Sequence, residues 1–517
     1  MYLVSKAVDS NIHGFFLSLY EAVEMQKALK ISVSLLFGAA VMLFWALAYP
    51  QALGFREQNQ IFFYTWDYVA GKLSLAGGFA DLIAGFVVQF YRLTWIGAFL
   101  TAAIFVILQR SVWKLSEKHF CLSFIPPVLL LILMGDLYVS LCFAIALASV
   151  CRLSVLHRKY PSTAFALIAI PASFWLFGPV SLLFVCFAIL DGPRKNALIL
   201  PVYSAAIIIA AGLTLLCQYP WRQILLGISY YDRPLAHPWL MPVSAISCLV
   251  IPAIARILRE PDSKAWIERS ICTVVLCLTA AFGVNSTYGR DTYEIIAYDQ
   301  LIRAEKWAEV ISRAEKYQPR NELACVSVNL SLFMCGRMNE MSEFYQCGTK
   351  GLLMPRVRDN VSNISTGEAF WRLGFVNEAL RYAFDTQEAI PDCEKSPRSM
   401  MRMAECQIVN GRYKVASKYI DLLKHTMFYR SWALEHEKYL GNEALIESNP
   451  IYHYLRIVRN REDYLFHYPE MDKMLGRLYL QCKENIMAGW YYQAWMSLRQ
   501  YDDENKGNNS ASGVHGS

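Results

Sequence analysis

Arg56-Glu57-Gln58-Asn59-Gln60, followed by Phe62-Phe63-Tyr64-Thr65-Trp66-Asp67-Tyr68, is the stretch on which the reading of the fold turns. It lies within Gln51–Leu93, between two apolar runs, Ile31–Tyr49 and Thr94–Gln109. The stretch is too polar to continue a membrane helix and too long for a turn. Gly77-Gly78 breaks it, and an amphipathic piece, Phe79–Phe90, follows, interrupted by Asp81 and Gln89. Such a loop on the water side of a bilayer is where a membrane enzyme keeps its acids.

Working outward, the composition divides the chain. Of 517 residues, 55% are hydrophobic and 18% charged, but the apolar runs end near Val284. Beyond that point the chain reads as a water-facing helical protein, so one membrane domain and one soluble domain are expected. The net charge of +6 does not point to nucleic acid, because many Lys and Arg sit in short loops between apolar runs. No signal-peptide cleavage site is visible in Met1–Lys30. Eight of the fourteen Cys lie in or beside apolar runs, where Cys acts as a small hydrophobe. The other six show no CxxC pairing and the His are scattered, so no zinc or haem site is read.

An amphipathic interfacial helix is expected over residues 1–30, with Phe16, Leu19, Tyr20 and Val23 at helical spacing. The transmembrane domain, 31–284, contains nine apolar runs: Ile31–Tyr49, Thr94–Gln109, Phe124–Gly135, Leu137–Cys151, Thr163–Phe177, Val180–Leu190, Ala197–Cys217, Trp239–Ile257 and Ser270–Val284. The four between Phe124 and Leu190 fall well short of the roughly 20 residues of a full crossing, so merging them in pairs gives seven instead. Charge favours nine. With the N-terminus inside, Arg110 and Lys114, then Arg152, Arg158 and Lys159, then Arg194 and Lys195, then Arg256 all fall inside. Merging would put Arg152, Arg158 and Lys159 outside. Both versions put the loop 51–93 and everything after Val284 outside. A second outer loop, Gln218–Pro238, carries Trp221, Arg222, Arg233 and His237, suited to a phosphate or a sugar. Interfacial anchoring is their plainer reading.

A span, a long acid-bearing outer loop, a second span and short hairpins together resemble the GT-C class of membrane glycosyltransferases. Those enzymes take a sugar from a polyprenyl-phosphate carrier at the outer face. The resemblance implies a catalytic base or metal ligand soon after the first span, matched by Glu57 with Asp67 further along. It implies a second acid between the third and fourth spans, matched by Asp136 in Met134-Gly135-Asp136-Leu137. The first acid is Glu rather than the commoner Asp, and the aromatic cluster around Asp67 is no signature of the class. The stretch also resembles an uncharacterised family of bacterial polytopic membrane proteins, through Glu57-Gln58-Asn59-Gln60-Ile61-Phe62 and Ala76-Gly77-Gly78-Phe79-Ala80.

The chemistry asks for the same residue types. An acceptor hydroxyl attacking an anomeric carbon needs a general base, and the departing phosphate needs positive charge. Glu57, Asp67 and Asp136 are candidates for that base or for an oxygen-rich site holding a divalent cation. Arg222 and Arg233 are candidates for the phosphate, with Trp221 and His237 beside them. For each acid alone, a solvated loop carboxylate is the plainer reading.

From about residue 285 to 504 the chain reads as helix pairs. Glu305-Lys306-Trp307-Ala308, Gly336-Arg337-Met338-Asn339-Glu340, Gly374-Phe375-Val376-Asn377-Glu378-Ala379-Leu380 and Gly411-Arg412-Tyr413-Lys414-Val415-Ala416 open four second helices. Their spacing and their Gly-x-aromatic turns resemble tetratricopeptide repeats. Gly489-Trp490-Tyr491-Tyr492-Gln493-Ala494 suggests a fifth unit, and 505–517 reads as a disordered tail. Stacked pairs of this kind form a solenoid with a groove for a protein partner.

The expected fold is therefore all-α, a polytopic membrane domain followed by a tetratricopeptide-like solenoid. Two functions compete: a GT-C-like transferase of the bacterial cell envelope, and a non-enzymatic membrane scaffold. Either would sit in the bacterial inner membrane, N-terminus cytoplasmic and C-terminal domain periplasmic. A transporter fits less well, since few ionisable residues lie within the long spans and no repeat relates the two membrane halves.

Overall fold

The structure is a computed structural model that describes residues 27–117, 119–215, 235–258, 265–357, 359–461 and 466–512. Among them there are helices and turns but no strands. The expected interfacial helix over 1–30 lies outside the described residues except for 27–30. The chain divides into two compact units. An apolar unit comprises Met1–Pro50 and Gly71–Tyr288; a hairpin unit comprises Gln51–Ala70 and Gly289–Ser517. The division runs through the Gln51–Leu93 stretch instead of around it.

Among the described residues of the apolar unit, six helical stretches are long and apolar enough to cross a membrane: Lys27–Ala48, Thr94–Ser116, Leu141–Lys159, Thr163–Asp191, Asn196–Leu213 and Leu240–Ile257. Cys121–Leu133 and Thr273–Thr287 are apolar but shorter. Large side chains on this unit stand bare: Ile168 is 74% exposed and Leu198 77%. Apolar surface on that scale marks a membrane protein. Leu141–Lys159 is the central helix, two-thirds buried, and packs on Thr94–Ser116, Gly78–Val88 and Leu182–Asp191. Ser140 starts it by accepting from the Cys142 amide at 3.2 Å.

Thr163–Asp191 is not one rod. It breaks at Gly178, whose φ is +68°, into Thr163–Phe177 and Leu182–Asp191. The two arms run back along each other. Asn196 accepts from the Thr163 hydroxyl at 2.7 Å and donates to the Ala188 carbonyl at 3.0 Å, so both ends of the hairpin meet. Gly178 can turn the chain because it lacks the Cβ that disfavours positive φ.

The piece expected to be an amphipathic loop segment is the helix Gly78–Val88, packed against Leu141–Lys159 and Thr163–Phe177. Asp81 is 2% exposed and is answered by Lys72 at 2.5 Å. Burial explains why an apolar-looking segment carries an acid: the charge is neutralised locally.

In the hairpin unit four turns share one geometry. The amide of Lys306 reaches the Leu301 carbonyl at 3.0 Å, Arg337 reaches Leu332 at 2.8 Å, Phe375 reaches Phe370 at 3.0 Å and Arg412 reaches Gln407 at 2.8 Å. Each is the six-to-one bond that closes a helix through a left-handed residue. Gly336, Gly374 and Gly411 supply that residue in three turns, and Glu305, at φ +53°, supplies it in the first. The helix pairs Arg290–Arg303 with Trp307–Lys316, Ser362–Leu373 with Val376–Glu388, and Pro397–Val409 with Tyr413–Lys424 flank three of these turns. After Gly336 the chain forms a 3-10 segment, Met338–Glu343, in place of a second α-helix.

The later helices fold back. Asn485 donates to the Leu373 carbonyl at 2.8 Å, and the Asn460 amide reaches the Gly374 carbonyl. Gly489 lies inside the helix Ile486–Ser512, where a Cβ would come within 2.9 Å of the Tyr479 ring. It permits close helix packing; it does not make a turn. That helix extends to Ser512, through much of the expected tail. The core joins residues remote in sequence: Ile61 and Phe63 share one buried cluster with Trp371, Tyr382 and Leu423.

Candidate functional site

The segment 51–64 enters the hairpin unit as a helix, Pro50–Gln58, and then an extended run. The Ile61 amide bonds to the Lys395 carbonyl at 3.2 Å and the Tyr64 amide to the His425 carbonyl at 2.7 Å. These bonds press the helix against the later helices. Glu57 is 3% exposed as a result. Its carboxylate accepts from the Tyr429 hydroxyl and from Gln58 Nε2 at 2.5 Å, and Gln58 Nε2 also reaches the Tyr429 oxygen at 2.8 Å. Tyr429 is itself buried.

Beside this contact lies a cavity of ≈ 50 Å³. At about 10–15 Å³ of such space for one water, it holds a few waters or one small polar group. Its wall comes from Pro50–Gln58, Arg290–Arg303, Ser362–Leu373, Val376–Glu388 and Pro397–Val409. The charged lining is Asp299, Arg303, Glu368, Arg398 and Arg402. Arg398 meets Asp299 at 2.5 Å, and Arg402 meets Glu368 at 2.6 Å and Glu405 at 2.9 Å. Arg402 also lies over the Trp371 ring, 4.3 Å from its centroid. Arg372 joins the cluster from behind, bonding Glu368 at 3.4 Å and pairing with Glu305. Burial by itself pushes the Glu368 carboxyl up; Arg402, Arg372 and Arg398 outweigh it and hold it at about 2.

The residues marked in the sequence are not gathered here. Glu57 borders the cavity through its neighbour Gln58, but its own carboxylate is taken up. Asp67 is exposed in the first turn of Trp66–Leu73. Asp136, in the apolar unit, is a turn acceptor: one oxygen takes the Tyr138 amide at 2.9 Å, the other the Ala236 amide at 2.7 Å. Next to it Gly135 is obligatory, because a Cβ would lie 2.4 Å from the Tyr288 ring. His237 is half-buried; Trp221, Arg222 and Arg233 lie outside the described residues. Among the described residues no three His, Cys, Asp or Glu side chains converge to hold a metal.

The cavity's charges do not stand out as a site in the sequence, though a signal is present. Glu368 and Arg372, and Arg398 and Arg402, stand four apart on their helices, each pair on one face. Nothing local shows that the two faces meet.

A family described as a family of unknown function, DUF6057, matches residues 26–502. No curated protein matches the chain, and no solved structure does.

Proposed function

We propose that this chain, which belongs to the DUF6057 family, is a membrane-anchored recognition protein of the bacterial cell envelope. Its helical hairpins bind a partner, and no sugar is transferred. The observation that carries this reading is the state of Glu57. The acid that the GT-C resemblance marks as base is buried and bonded to Tyr429 and Gln58. A general base must reach the proton it removes.

In this reading the apolar unit passes the cytoplasmic membrane nine times, with the N-terminus inside. The support is a gathering of helix ends. Arg158 donates to the Leu115 carbonyl at 2.8 Å, Arg256 donates to the same carbonyl at 3.3 Å, and Arg256 pairs with Asp191 at 2.7 Å. The C-terminal ends of Thr94–Ser116, Leu141–Lys159, Leu182–Asp191 and Leu240–Ile257 therefore share one side, as basic inner loops require. The hairpin unit then lies in the periplasm. Its repeated turns support a tetratricopeptide-like stack whose surface takes a protein partner.

One observation favours the transferase as a second reading. Asp136 sits between two apolar helices and holds the Ala236 amide, next to His237 and at the end of the outer loop that carries Arg222 and Arg233. There a polyprenyl-phosphate-linked sugar and a divalent cation would meet the acid.

Complementation of a deletion strain separates the two. For a recognition protein, Asp67→Asn and Asp136→Asn complement fully, and any loss with Glu57→Gln follows the amount of protein. Loss of complementation by Asp136→Asn at unchanged protein level would overturn the recognition reading and favour the transferase.

A further inference from the structure

The cavity in the hairpin unit carries one charge and one buried acceptor left over from its own bonding. Its two carboxylates are answered, Asp299 by Arg398 and Glu368 by Arg402. Arg303 also lines it and has neither an ion pair nor a hydrogen bond among the described residues. Its Nη2 hangs over the backbone of Gly54, 3.2 Å from where a Cβ there would stand. On the wall formed by Pro50–Gln58, Gln58 spends its Nε2 on Glu57 and Tyr429, and its Oε1 is buried without a donor. Gln58 is only 8% exposed.

These two groups ask for different things. Water can donate to a buried acceptor, but it cannot neutralise a guanidinium. A cation without its anion and an acceptor without its donor, around one cavity, describe a ligand that has both. We propose that the cavity binds a small hydroxylated anion, a carboxylate or a phosphate ester. Arg303 holds the anionic head in the forked geometry that suits either group. Gln58 Oε1 accepts from a ligand hydroxyl.

The rest of the wall sets the limits. Among the lining residues, three arginines against Asp299 and Glu368 leave one net positive charge, enough for a carboxylate or for a phosphate ester in its monoanionic form. The two fixed ion pairs need no rearrangement when it enters. The ≈ 50 Å³ takes the head and a hydroxyl-bearing carbon or two, so any longer ligand extends out of the mouth. Every residue involved belongs to the hairpin unit, so the site stands whether the protein recognises a partner or transfers a sugar.

The test uses the full-length protein in detergent and isothermal titration with D-gluconate and with glycerol 3-phosphate; glycerol is the neutral control. At least one anion is expected to bind saturably and glycerol not at all. Arg303 is exposed, so Arg303→Gln is expected to keep the unfolding midpoint of the unliganded protein. It should weaken the anion at least about tenfold, the worth of a charge-assisted bond. Lys418→Gln removes an equal charge from the exposed face of Tyr413–Lys424 and should change binding less than about twofold. Ala383→Leu, which fills the cavity, should block binding outright. Failure of both anions to bind, or equal binding by the wild type and Arg303→Gln, overturns the proposal.

Discussion

In the apolar unit Asp191 meets Arg256 through two bonds, of 2.7 and 3.2 Å, and Asp81 meets Lys72 at 2.5 Å. In the hairpin unit Asp299, Glu368, Arg372, Arg398 and Arg402 form one cluster around a cavity. The two units solve the same problem under different conditions. Among apolar helices there is little water to screen a charge, so each of these two carboxylates is neutralised by a cation at hydrogen-bonding distance. A cavity that holds water can tolerate a surplus charge and an unshared acceptor. Surplus of that kind is what recognition of a ligand uses.

The largest expected effect breaks the cluster at its centre. Glu368→Gln leaves Arg402, Arg372 and Arg398 without their shared anion and should cost the hairpin unit about 3–5 kcal/mol. Denaturant titration of the full-length protein, followed by proteolysis of the hairpin unit, measures it. Replacing both partners sharpens the contrast. Asp191→Asn with Arg256→Met should cost little, about 1 kcal/mol, because beyond the pair itself only the 3.3 Å bond from Arg256 to the Leu115 carbonyl is lost. Glu368→Gln with Arg402→Met should stay costly, because Arg372 and Arg398 remain.

Acid should act through the same carboxyl. Glu368 is held at about 2 in the folded protein against an ordinary 4.5. A depressed carboxyl stabilises the fold above its unfolded pKa, and the contribution is lost as pH falls from 4.5 toward 2. The loss should be on the order of 3 kcal/mol, read as the fall in unfolding midpoint across that window. In Glu368→Gln this part of the pH dependence should vanish.

A smaller effect is expected where backbone, not charge, decides. Gly374 has φ +92°, and a Cβ would stand 3.0 Å from the Val458 carbonyl oxygen. Gly374→Ala should cost about 2 kcal/mol. Gly411→Ala has the same sign of φ but open space around it, and should cost about 1 kcal/mol. Equal losses would mean the packing against Val458 adds nothing.

The smallest effects separate the two acids of the opening stretch. Glu57→Gln keeps an acceptor for Tyr429 but sets its amide against Gln58 Nε2, and should cost about 1 kcal/mol. Asp67→Asn changes an exposed first-turn residue and should stay within about 0.5 kcal/mol. Thermal unfolding of the two variants side by side reads the difference.

Much of the architecture was legible in the residues. As far as they are described, the nine apolar runs form helices, because burial in an apolar medium depends on local composition and helices satisfy their own backbone. The four hairpin turns stand where Gly336, Gly374, Gly411 and the run from Glu305 marked them, because a left-handed turn is a property of one or two residues. Gly489 shows the limit of that reasoning: the same Gly-aromatic pattern sits inside a helix, where close packing with Tyr479 governs it.

What only the tertiary structure decided is the destination of Gln51–Ala70. By sequence the polar stretch reads as an outer loop of the transmembrane domain; its first part packs into the hairpin unit, and Glu57 meets Tyr429 across 372 residues of chain. The cavity has the same origin, since Gln58, Arg303, Glu368 and Arg402 come from four separate helices. Helix and turn follow from neighbours a few positions apart, which composition and spacing record. A buried acid's partner and a cavity's charge depend on which helix faces meet, and that is settled by packing the whole unit at once.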